Sequence, residues 1–312
     1  MAYRTVLIKK CEEISLKNNQ LILKKEEEIS IPLEDISIIL IEDLSSVISS
    51  YLLGELANYD VAVIFCDKRH NPSGILMPMH NHYKQLNIFN LQMNVKKPVL
   101  SQLWQMIVKS KIKNQNSILE ELKKKDYYIE KLKSLEKDVK SDDNTNREAV
   151  AAKIYFEGLF GALFVRNRNN EDPINCALNY GYTVLMSNVA RLLSMYGFNT
   201  ILGIHHCSYT NQFNLASDVM EPFRPIVDRY IALNMKEIEY PLSSQNKIDL
   251  VKLLQEPIRI NNENYIVEHA MEEMVISLQQ AYSKNDSSLL LCPSILVKSN
   301  DRLQINEIDS DV

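Results

Sequence analysis

The hydrophobic period of the sequence changes near residue 79, and that change bounds the fold more tightly than any single motif. Before it, apolar residues come in short β-branched runs separated by polar turns: YRTVLIKK, EISLKNN, QLILKK, EEISIPL and ISIILIE. Such runs are the pattern of strands. Asn18-Asn19-Gln20 supplies a hairpin signal. LSSVISSYLLGELANYD has helical spacing with Ser45 or Ser46 as a candidate N-cap. VAVIFCD reads as a buried strand, and Asn71-Pro-Ser-Gly74 as a turn.

From residue 80 the i, i+3, i+4 period takes over. It runs through NHYKQLNIFNLQM, the long stretch from Pro98 to Val139, REAVAAKIYFEGLFGALFV, and PINCALNYGYTVLMSNVARLLSMYG. Pro98 and Pro173 suit first-turn positions, and Asp172 suits an N-cap. Further helices are predicted over residues 213–234, 245–255 and 263–281, with SDDNTN at 141–146 as a loop. The expected class is α+β. A small N-terminal β-rich domain (1–79) precedes a larger all-α domain (80–297), and the acidic tail 298–312 is expected to be disordered.

At 312 residues, 46% hydrophobic and 24% charged, the composition is that of a globular protein with room for two cores. No apolar run nears the ~20 residues needed to span a membrane. The start of the chain lacks a secretory signal pattern, so a cytoplasmic location is expected. Five scattered cysteines form no CxxC pair, which argues against a disulfide framework or structural zinc. Cys207 follows two histidines, but no basic group is fixed beside it by sequence. The net charge of −5 speaks against a general nucleic-acid binder. Yet from Asn71 to Gln115 there is no Asp or Glu, while Lys84, Lys96, Lys97, Lys109, Lys111 and Lys113 lie there and Lys68 and Arg69 just before. That segment reads either as a polyanion site or as a solvated basic face.

Three groups of residues carry candidate chemistry. His205 and His206 are adjacent, and neighbouring side chains diverge, so one ion does not take both. Asp218, Glu221 and Arg224 are spaced three apart, as on one helix face. Pro222 and Pro225 should bend that helix, and the flanks are apolar. Buried carboxylates there need a metal or a cation. Glu148 is the third; Thr145-x-x-Glu148 also fits a capping box, in which Glu148 turns back to the helix N-terminus. There is no GxGxxG, GxxxxGK[ST], HExxH or GxSxG, and seven glycines leave little room for a nucleotide-cradling loop.

LWQMIVKSKIKNQ (103–115), NREAVAAKIYFEGLFG (146–161), INCALNYGYTVLMSNVARLL (174–193), LGIHH (202–206) and FNLASDVMEPFRPIVD (213–228) follow one another in that order. In those blocks the chain resembles the CRISPR-associated spacer-acquisition integrases, most closely the branch of type II systems. The resemblance implies an N-terminal β domain and a helical catalytic domain. It implies Glu148, His205 and Glu221 as ligands of Mg²⁺ or Mn²⁺, with Asp218 and Arg224 at polar positions near bound DNA and no role for His206. In some members the last ligand is an aspartate, so Glu221 fits one branch.

The implied reaction is attack of a DNA 3′-hydroxyl on a phosphodiester, inserting a short duplex (the prespacer) at a CRISPR repeat. Double-stranded DNA would lie on Lys84, Lys109, Lys111 and Lys113. Tyr83 or Trp104 would sit near an end, unless those aromatics are core residues. The implied partners are a second copy of the chain, a small ferredoxin-like adaptation protein and type II accessory proteins. Two alternatives remain open at this level. A stand-alone metal-dependent nuclease on branched DNA would use the same residues with water as nucleophile. A non-catalytic DNA-binding scaffold would tolerate loss of Glu148.

Overall fold

The structure is a computed structural model that describes residues 4–24, 28–68, 72–78, 84–167 and 172–297. Tyr83, Arg69 and the tail 298–312 lie outside the described residues. The chain opens with strands β1 (Arg4–Ile8), β2 (Glu13–Lys17), β3 (Gln20–Lys24), β4 (Glu28–Pro32) and β5 (Ile36–Ile41). Asn18 and Asn19 both take positive φ (51° and 58°) between β2 and β3. Two such residues in a row make the tight turn whose twist matches antiparallel strands. β2, β3 and β4 form an antiparallel sheet.

Helix α1 (Ser50–Asn58) starts later than the sequence suggested. Its cap is Ser49, whose hydroxyl accepts the Leu52 N–H at 3.1 Å. Ser45 turns instead to the Asp43 carboxylate. β6 (Ala62–Cys66) and β7 (Pro72–Leu76) complete a second sheet in the order β1-β5-β6-β7, parallel except for β7. Pro72 to Gly74 therefore belong to a strand and not to the expected turn.

Strand β5 explains why ISIILI is continuously apolar. Ile36, Ile39 and Ile41 face a core shared with β1, β3 and α1, whereas Ile38 and Leu40 face the large helical core. A parallel strand covered on both sides has no polar face. Two buried ion pairs sit near this contact: Lys247 Nζ to Glu42 Oε1 at 2.8 Å, and Arg191 Nη2 to Glu268 Oε1 at 3.0 Å.

The helices follow as α2 (Gln85–Asn94), α3 (Lys97–Glu121), α4 (Asp126–Asp138), α5 (Arg147–Phe160) and α6 (Pro173–Met195). The predicted helical stretch 98–139 is broken where Lys123 takes φ 49°, so α3 and α4 fold back on each other. Asp172 caps α6 as expected, accepting the Asn175 N–H at 2.9 Å. The stretch 213–234 divides into α7 (Asn214–Val219), a 3₁₀ turn (Glu221–Phe223) and α8 (Arg224–Leu233). Pro222 and Pro225 have no N–H to continue one ladder.

After α9 (Ser244–Lys252) come strands β8 (Pro257–Ile260) and β9 (Glu263–Ile266), helix α10 (Val267–Lys284) and β10 (Ser294–Ile295). β8, β9 and β10 form a small antiparallel sheet that the otherwise helical C-terminal region carries beside its helices. Its hairpin turns on Asn261-Asn262, both with positive φ. This is the same Asn-Asn signal as in the N-terminal hairpin, and it sets β9 where the apolar spacing predicts the start of a helix.

Candidate active site

Helix α3 is the spine of the site. Its inward stripe runs Trp104, Val108, Lys111, Gln115, Ile118, all buried, at the i, i+3, i+4 spacing of one face. Lysine in that stripe is costly unless its charge is met. Glu148 from the start of α5 and Glu221 from the 3₁₀ turn meet it. Lys111 Nζ donates to Glu148 Oε1 at 2.5 Å and pairs with Glu221 Oε2 at 2.5 Å. The Lys111 and Glu221 side chains are 6% and 4% exposed, and Glu148 is 26% exposed. Arg224 Nη1 takes the other Glu221 oxygen at 2.6 Å, and its guanidinium lies 4.1 Å from the Tyr182 ring centroid. Two carboxylates and two cations thus close a neutral cluster.

Electrostatics follow from this. Burial alone would raise the Glu221 carboxyl, but Arg224 and Lys111 more than offset it and hold it near 2. Burial would lower the Lys111 ammonium, and Glu221 and Glu148 hold it above its ordinary value. Behind them, burial pushes the Asp228 carboxyl up to about 6, restrained by the Tyr182 hydroxyl that donates to it and by Arg224.

Glu148 points into the cluster because the α5 N-terminus is capped by another residue. Asp143 accepts the Arg147 N–H at 2.8 Å and the Glu148 N–H at 2.9 Å. Asn146 begins the helix in a left-handed conformation. The Thr145-x-x-Glu148 capping box is thus not formed, and Glu148 is free to face Lys111. The Glu221 turn is fastened to α3 as well, since Asn114 Nδ2 donates to the Pro222 carbonyl at 2.8 Å.

Asp218 does not share a face with Glu221. It is fully buried in α7 and holds the loop 203–206 in place. Its Oδ2 accepts the N–H of Ile204 (2.6 Å) and His205 (3.0 Å), and its Oδ1 accepts the His206 N–H (3.2 Å) and faces His206 Nδ1 at 2.6 Å. A carboxylate there selects the tautomer with the proton on Nδ1, leaving Nε2 as an acceptor. Gly203 makes the loop possible, because a Cβ on it would lie 2.2 Å from the His206 carbonyl oxygen.

The two histidines part company here. The Asp218 bond raises the His206 imidazole above its ordinary value against the effect of burial, and Glu221 and Glu148 add to the rise. His206 is therefore within electrostatic reach of both carboxylates. His205 stacks flat on Trp104, with ring centroids 4.4 Å apart and planes 2° apart, and its Nδ1 is 3.7 Å from Asp142. Among the described residues, no hydrogen bond or ion pair joins either histidine to Glu148 or Glu221.

Of the residues singled out from sequence, the fold brings together Glu148, Glu221, Arg224 and Lys111, and the two histidines pack against Trp104 in the same stripe of α3. Asp218 is a clamp on the histidine loop and, being wholly enclosed, does not touch DNA. Lys111 is also no surface contact for DNA. A helix turns about 100° per residue, so Lys111 faces away from Lys109 (half-buried) and Lys113 (exposed). Lys84 is exposed beside α2. Trp104 is 1% exposed and packs in the core. Sequence reasoning misses the parts played by Lys111, Asp143 and His206, yet KIKNQ carries a signal: polar residues in an otherwise apolar stripe.

The group is suited to a cation, since an ammonium already stands between the two carboxylates. Among the described residues no three acidic, histidine or cysteine side chains converge on one point in this arrangement. Glu148 and Glu221 are the pair that would hold an ion.

The sequence model of the family described as "CRISPR associated protein Cas1" matches residues 6–243. A CRISPR-associated endonuclease Cas1 of Neisseria meningitidis serogroup C (strain 8013) is 38% identical over 299 residues, covering 95% of this chain and 97% of its own. Among solved structures, a casposase bound to integration product superposes with a TM-score of 0.74 at 17% identity, over 99% of this chain and 96% of its own. The "Cas6-RT-Cas1--Cas2 complex" gives a TM-score of 0.75 at 20% identity, over 95% of this chain and 36% of that one. These likenesses show a shared fold. The family match across most of the chain and the near-complete overlap with the meningococcal relative agree: the chain belongs to the Cas1 family of CRISPR-associated proteins.

Proposed function

We propose that this protein is a metal-dependent DNA integrase that inserts short foreign segments into a CRISPR array by 3′-hydroxyl attack on a phosphodiester. The observation that carries this reading is that Glu148 and Glu221, on separate elements, share one cation in a largely buried site. Membership of the Cas1 family and the fold shared with a casposase seen on its integration product support it. A divalent ion held by Glu148 and Glu221 would polarise the phosphodiester and neutralise charge that develops on it. Hard carboxylate oxygens suit Mg²⁺ or Mn²⁺, and an imidazole ligand shifts preference toward Mn²⁺.

The chain's own residues divide the remaining work. Arg224 fixes Glu221 and offers a cation beside the phosphate. Asp218 holds the His206 ring, with its free Nε2 as the imidazole donor. This reading takes His206 in place of the expected His205, whose ring lies flat on Trp104. Lys84, Lys109 and Lys113 would contact DNA backbone. The β-rich region 1–79 would supply the homodimer surface, and a small ferredoxin-like protein would bridge the dimers, with type II accessory proteins as further partners. The occurrence of a Cas1–Cas2 assembly among the structural relatives supports a partner of that kind. No helix among the described residues is long and apolar enough to cross a membrane, which fits the proposed cytoplasmic location.

A strand-transfer assay tests the reading. Purified protein and its small partner are mixed with a 3′-hydroxyl duplex, a repeat-bearing target and Mn²⁺. Joined products are expected, and Glu148→Ala and Glu221→Ala should abolish them. His206→Ala should abolish them too, while His205→Ala is tolerated; the reverse result would restore His205 as the ligand. The name of the meningococcal relative, an endonuclease, favours a second reading in which water is the nucleophile. Hydrolysed ends without joined products would establish it.

A further inference from the structure

We propose that Lys111 is an internal counter-cation which a divalent ion displaces, and that the displaced ammonium moves toward Gln115 and Asp228. This rests on the reading above that Glu148 and Glu221 share a metal ion. Lys111 Nζ lies 2.5 Å from an oxygen of each carboxylate. The ammonium therefore occupies the space that a shared ion needs. A dication and an ammonium repel strongly at such separations in a largely buried site, by more than a hydrogen bond returns. The two occupants are mutually exclusive.

The fold provides an exit. Lys111 lines a cavity of about 430 Å³, wide enough for a lysine to change rotamer. Gln115 lines the same cavity one helical turn further along α3. It is 2% exposed, and its Oε1 has no hydrogen-bond partner. A buried carbonyl oxygen without a donor is a standing cost in this state. Asp228 enters the cavity wall from α8 and is itself buried. An ammonium leaving the carboxylate pair thus meets an unengaged acceptor and a second acidic group within the same cavity. Arg224 remains on Glu221 at 2.6 Å, so that carboxylate is never left bare.

The consequence is a site that stays assembled without metal and binds it by exchange. Lys111 keeps Glu148 and Glu221 together, and the incoming ion competes with the protein's own cation. Affinity is then weaker than the ligands alone would give, by the fraction of molecules with the lysine withdrawn.

The test is a titration of Mn²⁺ into the full chain without DNA, with free Mn²⁺ followed by electron paramagnetic resonance. Lys111→Met should bind Mn²⁺ about tenfold tighter or more, because the competitor is gone. Gln115→Leu should bind it more weakly than the unaltered protein, because the ammonium has lost its acceptor. The double variant should match Lys111→Met, since Gln115 then has nothing to receive. Unchanged or weaker binding by Lys111→Met overturns the proposal, as does a Gln115→Leu protein with unchanged affinity. If Lys111→Met fails to fold without metal, Gln115→Leu keeps the test decisive, as its carboxylate pair is intact. Absence of Mn²⁺ binding in every variant sinks the metal reading itself, whereas equal binding in all of them sinks only the exchange.

Discussion

Replacing Asp218 by asparagine should loosen the histidine loop with little change in shape. The carboxylate accepts four hydrogen bonds, two on each oxygen, from three successive backbone N–H groups and the His206 ring. Asparagine keeps one acceptor oxygen and turns an NH₂ group toward two of those donors. Each buried donor left without an acceptor costs about 1–3 kcal/mol, so a loss on the order of 4 kcal/mol is expected. For a stability typically of about 5–15 kcal/mol that is a large share. Urea denaturation should show the midpoint lowered by roughly 1 M or more with an unchanged slope.

The His206 titration gives a second, independent readout. Its folded pKa is raised, chiefly by the Asp218 bond. A raised value means that the bond's contribution to stability is whole below the unfolded value of about 6.5 and is lost as pH rises through the folded value. In the variant the His206 resonances should titrate at lower pH, and that part of the pH dependence above about 6.5 should vanish. A stability loss below about 1 kcal/mol together with an unmoved His206 titration would refute the clamp.

Glu221 has the opposite sign: its folded pKa is held near 2, so the stability it brings is present above about 4.5 and lost as pH falls toward 2. Acid unfolding of Glu221→Gln should therefore show a shallower slope in that window, and an identical slope would contradict the ion cluster. Gly203→Ala should destabilise the loop and lower strand transfer even though it touches no reacting group, because its Cβ has no room against the His206 carbonyl; normal melting and activity would show that the loop yields. Replacing Lys109 and Lys113 together should weaken DNA binding and flatten its salt dependence by about one unit of slope for each phosphate no longer neutralised. Lys111 should not behave as a third such lysine.

Local chemistry makes much of the fold readable. The period change, the Asn18-Asn19 turn and the Asp172 cap are decided by residues close in sequence, and each is formed. Where a nearby competitor decides, the sequence misleads. Ser49 caps α1 ahead of Ser45, Asp143 displaces the Thr145–Glu148 box, and Asn261-Asn262 turns a hairpin at the start of an expected helix. Glu148 and Glu221 come from the family resemblance, and the fold does bring them together. The partner between them comes from a third helix, through a pairing that spacing along the chain cannot reveal. The different settings of the adjacent histidines are equally out of reach, because they depend on which ring Asp218 holds and which one lies flat on Trp104.

Strand β5 has a thermodynamic consequence. It belongs to two cores at once, with Ile39 and Ile41 serving one and Ile38 and Leu40 the other. Neither core can melt without stripping a wall from its neighbour, so heat should unfold the β-rich and helical regions in a single calorimetric transition. A chain severed after residue 79 would present Ile38, Leu40, Ala62 and Ile64 to water as a bare apolar sheet face. Such a fragment is a candidate for aggregation rather than for independent folding. The site on α3, α5 and the Glu221 turn is thus rooted in a body whose stability is shared from end to end, and a lesion in the N-terminal sheet should be felt as lost activity far from where it occurs.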